Sequence, residues 1–396
     1  MKIHFLLVAT AALAAMPLLA DNHVLDCSRG QSLSQALQNA SWGETIQFTG
    51  VCHDSVTIQV SALKLIGKGT AVISSPQTTL AALTVNGAHL VSLSNFTLQN
   101  GLYGLHVMGG SGVTLSGITS TKNAVSGILV ENSSSAYISN TTVSNNAVNG
   151  IDAENSSSLS FTGNITTQGN TAFGLDVGDS SSASLTAATF TATGNTLGIQ
   201  IGLSASCFIT DPASTLTASN NFTTGLTIVS GAHMVDFGGT IVASNNGING
   251  ISLFSRSGLD MDAASLVTAA SNGQDGVHLE ELSSLNLFNT PAFSGVPGVT
   301  TLIVTNNAQN GVSALLNSMG HMFNQTTITS QGNGIFGIQV DNGSSLTLLQ
   351  STVTGNTTDI SMTFGSRGEF TGNSIGKVSC DATALIRGDT GVTCPH

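Results

Sequence analysis

The sequence of 396 residues has little charge, few aromatic residues and very few basic ones. Asp, Glu, Lys and Arg together make up 8% of the chain, and aromatic residues make up 5%. Only nine Lys and Arg residues stand against 21 Asp and Glu residues, so the basic clusters that bind phosphate backbones are missing. We therefore do not expect a nucleic acid as a partner. Low charge combined with 40% apolar residues also argues against a disordered chain.

Long hydrophobic runs are absent after residue 20. No later stretch reaches the roughly 18 apolar residues that cross a bilayer, so no transmembrane segment is predicted. Residues 1–20 contain an early Lys, an apolar run and small residues up to Ala20, which is typical of a signal peptide. Its removal leaves eight basic residues against 21 acidic ones, a net charge of about −13. The sequence thus predicts an exported protein, secreted or periplasmic.

The five cysteines show no metal-binding spacing, since neither Cys-x-x-Cys nor His-x-x-x-His occurs. Cys27 and Cys52 flank the N-terminal segment, and Cys380 and Cys394 flank the C-terminal one. Cys207 stands alone. Because paired cysteines in an exported protein usually form disulfides, we predict the bonds Cys27–Cys52 and Cys380–Cys394.

An internal repeat dominates the sequence from residue 100 onward. Asn returns at intervals of 23 to 26 residues, with one interval of 35, and a Gly and an apolar residue follow most copies. The repeated residues are Asn100, Asn123, Asn146, Asn170, Asn195, Asn221, Asn246, Asn272, Asn307, Asn333 and Asn356. Two more apolar positions follow in each repeat, so each repeat is predicted to contain three short strands. Such a repeat indicates a solenoid that grows one coil at a time.

Apolar and polar residues alternate within each short strand, as in the segment 150–154, which favours strands over helices. Stacked coils would place equivalent strands in parallel about 4.8 Å apart, with the apolar residues inside. The inward positions assigned in this way include Phe237 and Phe323 in the second strand and Leu266 and Ile303 in the third. We expect the Asn residues to bridge one turn to the next by hydrogen bonds and so to be structural.

An open solenoid end must be covered, and residues 31–40 place Leu33, Ala36 and Leu37 at helical spacing. We predict a cap helix there, with Trp42 completing the plug.

The cap, the strand over 44–48 and the coils over 100–375 resemble the pectin-lyase-like superfamily of parallel β-helix repeat proteins. The resemblance implies an all-β fold, a right-handed parallel β-helix of roughly thirteen three-strand coils with an N-terminal cap helix. We expect a signal peptide at 1–20, an N-terminal cap at 21–50, the β-helix at 51–379 and a C-terminal cap at 380–396.

Substrate grooves in this superfamily usually follow the outer face of the first strand of each coil, so the resemblance directs attention to that face. Asp152 and Asp176 occupy its equivalent positions on adjacent coils, with Glu131, Glu154 and Asp179 close by. Neighbouring carboxylates repel each other when ionised, which raises a pKa or recruits a cation such as calcium. We predict Asp152 and Asp176 as catalytic carboxyls, at a spacing that would suit a retaining glycosidase, and the other three acids as binding residues. The alternative is that all five acids are solvated surface charges.

A second candidate site comprises Asp275, His278, Glu280 and Glu281, where a His beside carboxylates could act as an acid or a base. An ordinary exposed strand is the alternative here.

Motifs of individual enzymes in the superfamily are incomplete in this chain. Polygalacturonases are similar to one another in an Asp-Asp pair and an Arg-x-Lys block, and neither occurs here. Pectate lyases use an Arg base beside calcium-binding Asp residues. Between residues 100 and 375, however, the basic residues are Lys122, Arg256 and Arg367, several coils apart.

Three hypotheses for function follow. The sequence favours a non-catalytic exported scaffold that binds a surface or extracellular polysaccharide, because the exterior is polar and no complete catalytic set is present. The first alternative is a polysaccharide-modifying hydrolase or lyase that uses Asp152 and Asp176. The second is a calcium-stabilised adhesin.

Overall fold

The structure is a computed structural model that describes residues 24–289, 298–323 and 326–388. The predicted signal peptide (1–20) and Cys394 lie outside these described residues. Within them, short parallel strands follow one another around a single axis and build a parallel β-helix. The all-β fold predicted from the repeat is therefore confirmed.

The strands stack in three columns along the axis. Column 1 is a separate sheet of fourteen strands, which counts fourteen turns in the described residues, one more than the rough prediction. Its strands are Val56–Ile58, Leu83–Asn86, Leu105–Met108, Ile128–Val130, Ile151–Ala153, Phe173–Val177, Leu197–Ile201, Leu226–Val229, Ile251–Phe254, Val277–Leu279, Val312–Ala314, Phe336–Val340, Thr358–Met362 and Val378–Cys380.

Columns 2 and 3 belong to one continuous sheet, because some strands bend at a register shift and run through both. Column 2 contains Val91–Ser94, Gly112–Ser116, Ser206–Ile209, His233–Phe237, Gly258–Asp262, Ser284–Leu287, Met319–Met322, Ser345–Leu349, Arg367–Thr371 and Leu385–Gly388. Column 3 contains Thr97–Gln99, Thr119–Thr121, Thr215–Ser219, Thr240–Val242, Leu266–Thr268, Thr300–Thr305, Thr326–Gln331, Thr352–Thr354 and Ser374–Ile375. The strands that run through both are Thr45–Cys52, Lys64–Ser74, Ser135–Ser144, Ser158–Gln168 and Ser182–Thr193. The strand Val24–Asp26 pairs with Thr45–Cys52 at the N-terminal end.

The cap helix runs from Leu33 to Gln38, inside the predicted segment, after a 3-10 turn at Cys27–Arg29. The Ser32 side chain accepts a hydrogen bond from the Gln35 backbone at 3.2 Å and so caps the helix N-terminus. Leu33 and Leu37 are buried in the solenoid core. The prediction for Trp42 is wrong, because this side chain is 76% exposed and covers nothing.

The disulfide Cys27–Cys52 is present as predicted and ties the cap to the strand Thr45–Cys52. Cys207 is a free, buried thiol. Cys380 is disulfide-bonded, but its predicted partner lies outside the described residues, so that pairing stays a prediction.

The Asn ladder, defined as the ten Asn residues from Asn123 to Asn356 in the repeat, is confirmed as structural. In each step the amide oxygen of one Asn accepts from the backbone N–H and the side-chain amide of the preceding one, at 3.1 and 2.9 Å for the step from Asn123 to Asn146. Asn100 is not part of the ladder, because the N–H of Gly101 makes the equivalent bond to Asn123. After Asn356 the chain of amides ends on the carboxylate of Asp359.

Replacing one member of the Asn ladder should be costly. Asn195 is fully buried, accepts twice from Asn170 and donates to the Thr167 carbonyl. Asn195→Ala leaves these groups without partners, so we expect a loss of about 2–3 kcal/mol in the free energy of unfolding. Urea unfolding followed by circular dichroism measures it, with Asn164→Ala, an exposed Asn outside the ladder, as the control. Equal losses in the two variants would contradict a structural ladder.

Some predicted inward positions are wrong by one residue. Phe323 is 47% exposed and Leu266 is 38% exposed, while the neighbouring residues Met322 and Val267 are buried. Because side chains alternate along a strand, an error of one residue moves a side chain from the core to the surface.

Two further inward positions differ in the same way. Ile303 is only partly buried, and its neighbours Leu302 and Val304 occupy the core positions instead. The core position predicted for Phe237 is occupied by Asp236, which is completely buried between Ile209 and Met261 of the adjacent coils. The core therefore contains a carboxyl group where an aromatic ring was expected.

Candidate active site

The five predicted acids come together on the outer face of column 1, and we call them the acidic patch: Glu131, Asp152, Glu154, Asp176 and Asp179. Strand register places Asp152 beside Asp176, because Ile151–Ala153 pairs with Phe173–Val177. Inward residues alternate with these acids, so burial of Ile151 and Ala153 forces the Asp152 side chain to the other face. The charges act on one another: those of Glu131 and Asp179 both help to raise the pKa of Glu154.

Asp152 lies at the base of the acidic patch and is only 5% exposed. Its Oδ2 atom accepts hydrogen bonds from Asn149 Nδ2 at 2.9 Å and Ser126 Oγ at 3.4 Å, whereas Oδ1 is buried without a partner among the described residues. Burial, followed by the charges of Asp176 and Glu154, raises its pKa to about 7 despite the Asn149 hydrogen bond. Asp152 is thus a buried acid that holds a proton near neutral pH, and it offers almost no surface to a substrate.

Asp176 and Glu154 are the partly exposed members of the acidic patch with perturbed acidity. Burial raises the pKa of Asp176 to about 6, with further increases from Glu154 and Asp179, against a hydrogen bond from Gln200 Nε2 at 3.2 Å. Burial also raises the pKa of Glu154. These two carboxyls, one coil apart, could exchange protons with a molecule lying on the strand face.

Two residues beside the acidic patch were missed as site residues from the sequence. His106 Nε2 lies 2.8 Å from Glu131 Oε1, and the ring of Tyr103 lies 5.0 Å from the imidazole of His106. Burial and then the charges of Glu131, Glu154 and Asp152 raise the pKa of Tyr103, so its hydroxyl stays protonated. A signal was available for His106, which occupies the same outward position as Asp152 two coils earlier.

The second predicted cluster is also assembled. His278 Nδ1 lies 2.9 Å from Asp275 Oδ2, and His278 Nε2 lies 3.4 Å from Glu280 Oε2. Asp275 Oδ1 accepts from the Asn310 backbone N–H at 3.0 Å. Glu281 is separate, because it lies in the next turn and accepts from Ser255 Oγ at 2.6 Å.

A metal site is not formed by the side chains in the described parts of the chain. There, no group of three or more His, Cys, Asp and Glu side chains is arranged to hold an ion. In the same residues no helix is long and apolar enough to cross a membrane.

Comparisons with known proteins agree on the fold. Residues 44–223 match a family model described as a right-handed beta helix region. A search of curated proteins finds no match. Similar solved structures include the A-module of the mannuronan C-5 epimerase AlgE6 from Azotobacter vinelandii, at 12% identity and a TM-score of 0.51, with 92% of this chain and 93% of that chain covered.

Two more structures are similar at lower scores. The A-module of the epimerase AlgE4 from the same bacterium has 14% identity and a TM-score of 0.46, covering 92% of this chain and 91% of that one. The catalytic domain of a GH87 alpha-1,3-glucanase has 12% identity and a TM-score of 0.43, covering 96% of this chain and 70% of that one. The 12% identity to the AlgE6 module indicates a shared fold alone. Together with the strand topology, the match over residues 44–223 shows that this chain has the fold of a right-handed parallel β-helix.

Proposed function

We propose that this protein is an exported enzyme that hydrolyses a neutral polysaccharide on the outer face of column 1. The observation that carries the proposal is the pair Asp176 and Glu154, two partly exposed carboxyls with raised pKa values on adjacent coils. Perturbed carboxyls in pairs are the usual machinery of glycoside hydrolysis. A purely binding surface has no need of them, which is why we now prefer the enzyme over the non-catalytic scaffold.

The reaction assigns one role to each carboxyl. Asp176, whose pKa is raised to about 6, donates its proton to the glycosidic oxygen as the bond to the anomeric carbon breaks. The Glu154 carboxylate supports the positive charge that develops on the sugar, either by binding the anomeric carbon or by taking a proton from water. In both routes one water is consumed and one new reducing end is released. Asp152 lies in register with Asp176 on the preceding coil and acts as a positioning residue.

The charge around the acidic patch favours an uncharged substrate. Lys122 is the only Lys or Arg in the sequence between residues 100 and 255, and the other three acids of the acidic patch surround the two carboxyls. A polymer of uronic acids would therefore meet repulsion with no cation to offset it. The phenol of Tyr103 and the imidazole of His106 can instead hydrogen-bond to sugar hydroxyls.

Export is supported by the Cys27–Cys52 disulfide, since such bonds persist in oxidising compartments. The substrate would then be an extracellular, cell-surface or periplasmic glycan.

A reducing-end assay over a panel of neutral and anionic polysaccharides, with and without EDTA, tests the proposal. We expect the wild-type protein to release reducing ends from at least one neutral polymer, unaffected by EDTA, and Glu154→Gln/Asp176→Asn to release none. Asp341→Asn is the matched control, because Asp341 is an acid on the same strand face several coils away. Binding of a polymer by wild type without any cleavage would overturn the enzyme in favour of the scaffold. Activity or binding that needs calcium would favour the adhesin.

A further inference from the structure

We infer that the same polysaccharide is held at a second, non-catalytic site formed by Phe254, Asp275, His278 and Glu280, which lies along column 1 from the acidic patch. The inference rests on the proposed function for the identity of the ligand. Its geometry, however, stands on residues outside the acidic patch.

The side chains of this second site are held in fixed positions. Asp275 is 4% exposed and is bound from two sides, by the Asn310 N–H at 3.0 Å and by His278 Nδ1 at 2.9 Å. This contact orients the imidazole, whose other nitrogen points to Glu280 Oε2 at 3.4 Å. Rigid polar groups bind sugar hydroxyls at a smaller entropic cost than mobile ones.

Phe254 gives the second site an aromatic surface. Its ring centroid lies 5.5 Å from that of His278, and the ring is partly exposed. The Glu280 backbone N–H bonds to the Leu253 carbonyl, so Phe254 and Glu280 occupy equivalent positions on adjacent coils. An aromatic face beside a carboxylate suits a sugar, because the ring packs on its C–H groups while the carboxylate accepts from its hydroxyls.

Two of the three positions between Glu154 and Phe254 on the strand face are glycines. The positions equivalent to Glu154 and Phe254 on two of the intervening coils are Gly178 and Gly202. Neither glycine has a positive φ, and a Cβ atom added to Gly178 would meet nothing within 4 Å. The backbone therefore does not require glycine at Gly178, and both glycines leave these two positions of the face without a side chain, whereas Val229 occupies the third position before Phe254.

The separation of the two sites fits a chain of several sugars. Five coil steps lead from Glu154 to Glu280, which at about 4.8 Å per step is about 24 Å. A short oligosaccharide at the acidic patch cannot reach Phe254, whereas a polymer lying over the glycines contacts both sites. The second site should therefore affect long substrates and leave short ones unchanged.

The test compares Phe254→Ala and Glu280→Gln with wild type on one polymer and on its shortest cleaved oligosaccharide. We expect kcat/KM for the polymer to fall about tenfold through KM, as is ordinary for the loss of one aromatic or hydrogen-bonding contact, with less than a twofold change for the oligosaccharide. Phe222→Ala is the control, because Phe222 is a 75% exposed aromatic at the Asn ladder, away from column 1. Equal losses on both substrates, or no loss on either, would overturn the second site.

Polymer retardation in affinity gels separates failure of the second site from failure of the proposed enzyme. With Asp176→Asn as the background, we expect Phe254→Ala and Glu280→Gln to weaken the retardation and Phe222→Ala to leave it unchanged. Weakened retardation without any wild-type cleavage would support the second site and reject the hydrolase. Unchanged retardation would reject the second site, whatever the protein cleaves.

Discussion

Asp236→Asn is expected to stabilise the protein by about 4 kcal/mol at pH 8 and by almost nothing at pH 4. Asp236 is completely buried in the core, with Oδ1 accepting from the Gly239 N–H at 2.8 Å and Oδ2 without a partner among the described residues. Burial raises its pKa from 3.8 to about 7. Asn has the same shape as the protonated acid and carries no charge at any pH.

The sign of the effect follows from the order in which the two states ionise. Below pH 4 Asp236 is protonated in both the folded and the unfolded protein, so it contributes no pH dependence. Between pH 4 and about 7 the unfolded chain loses this proton while the folded protein retains it, so stability falls as pH rises. Above that range the loss is constant. At about 1.4 kcal/mol per pKa unit, the shift gives the 4 kcal/mol expected.

Unfolding in urea at pH 4, 6 and 8 measures the difference between wild type and Asp236→Asn. The gap between the two should open as pH rises and be complete at pH 8. A gap of the same size at pH 4 would show that packing, and not charge, distinguishes the variant. The Asp236→Asn variant should still lose some stability as pH rises, because the pKa of Asp152 is also raised.

Asp176→Asn should lower kcat on the cleaved polymer about a thousandfold, within the range usual for loss of a general acid. The pH dependence of the wild-type rate tests the roles of Asp176 and Glu154 independently of the variants. Asp176 must be protonated to act and has a pKa of about 6, so the wild-type rate should fall as pH rises through that value. Glu154 must be ionised, so the rate should also fall at lower pH, and the optimum is slightly acidic.

Steady-state rates of Asp176→Asn, Glu154→Gln and Asp152→Asn between pH 4 and 8 check these roles. Asp152→Asn should retain most of the activity and leave the alkaline limb near its wild-type position, because Asp152 is still protonated at the pH where Asp176 ionises. A larger loss in Asp152→Asn than in Asp176→Asn would exchange the two roles. A rate that rises throughout this pH range would contradict a carboxylic acid as the proton donor.

The spacing of repeats was enough to predict the columns, because every coil buries apolar side chains at equivalent points and repeats the same Asn hydrogen bonds. Errors arose where a coil departs from its neighbours. Phe237 looked like the inward residue because it is large and apolar, but the register of His233–Phe237 with Gly258–Asp262 turns Asp236 inward. Trp42 was misplaced at the N-terminal end, where no preceding coil fixes the position of the chain. Asn100 was misplaced because the N–H of the next residue, Gly101, makes the bond to Asn123.

The acidic patch could be predicted because neighbouring coils place equivalent residues side by side. The burial of each acid could not be predicted, because it depends on what covers the side chain. Asp152 is nearly enclosed, whereas Asp176 one coil later is not. Tyr103 was missed because it precedes Gly104 and lies outside the alternating part of its strand. Its contact with His106 depends on how far its ring reaches over the face.

The coil repeat fixes the distances between positions along the strand face of column 1. Each coil contacts its two neighbours and adds one fixed step of about 4.8 Å, so a whole coil can be removed or duplicated without repacking the rest. Removing the coil that carries Gly202 would bring Phe254 one step nearer to Asp176, and duplicating it would move Phe254 one step away. The number of coils between the two sites then sets the shortest polysaccharide chain that contacts both. Adding or removing one coil would lengthen or shorten this minimum chain by one coil step.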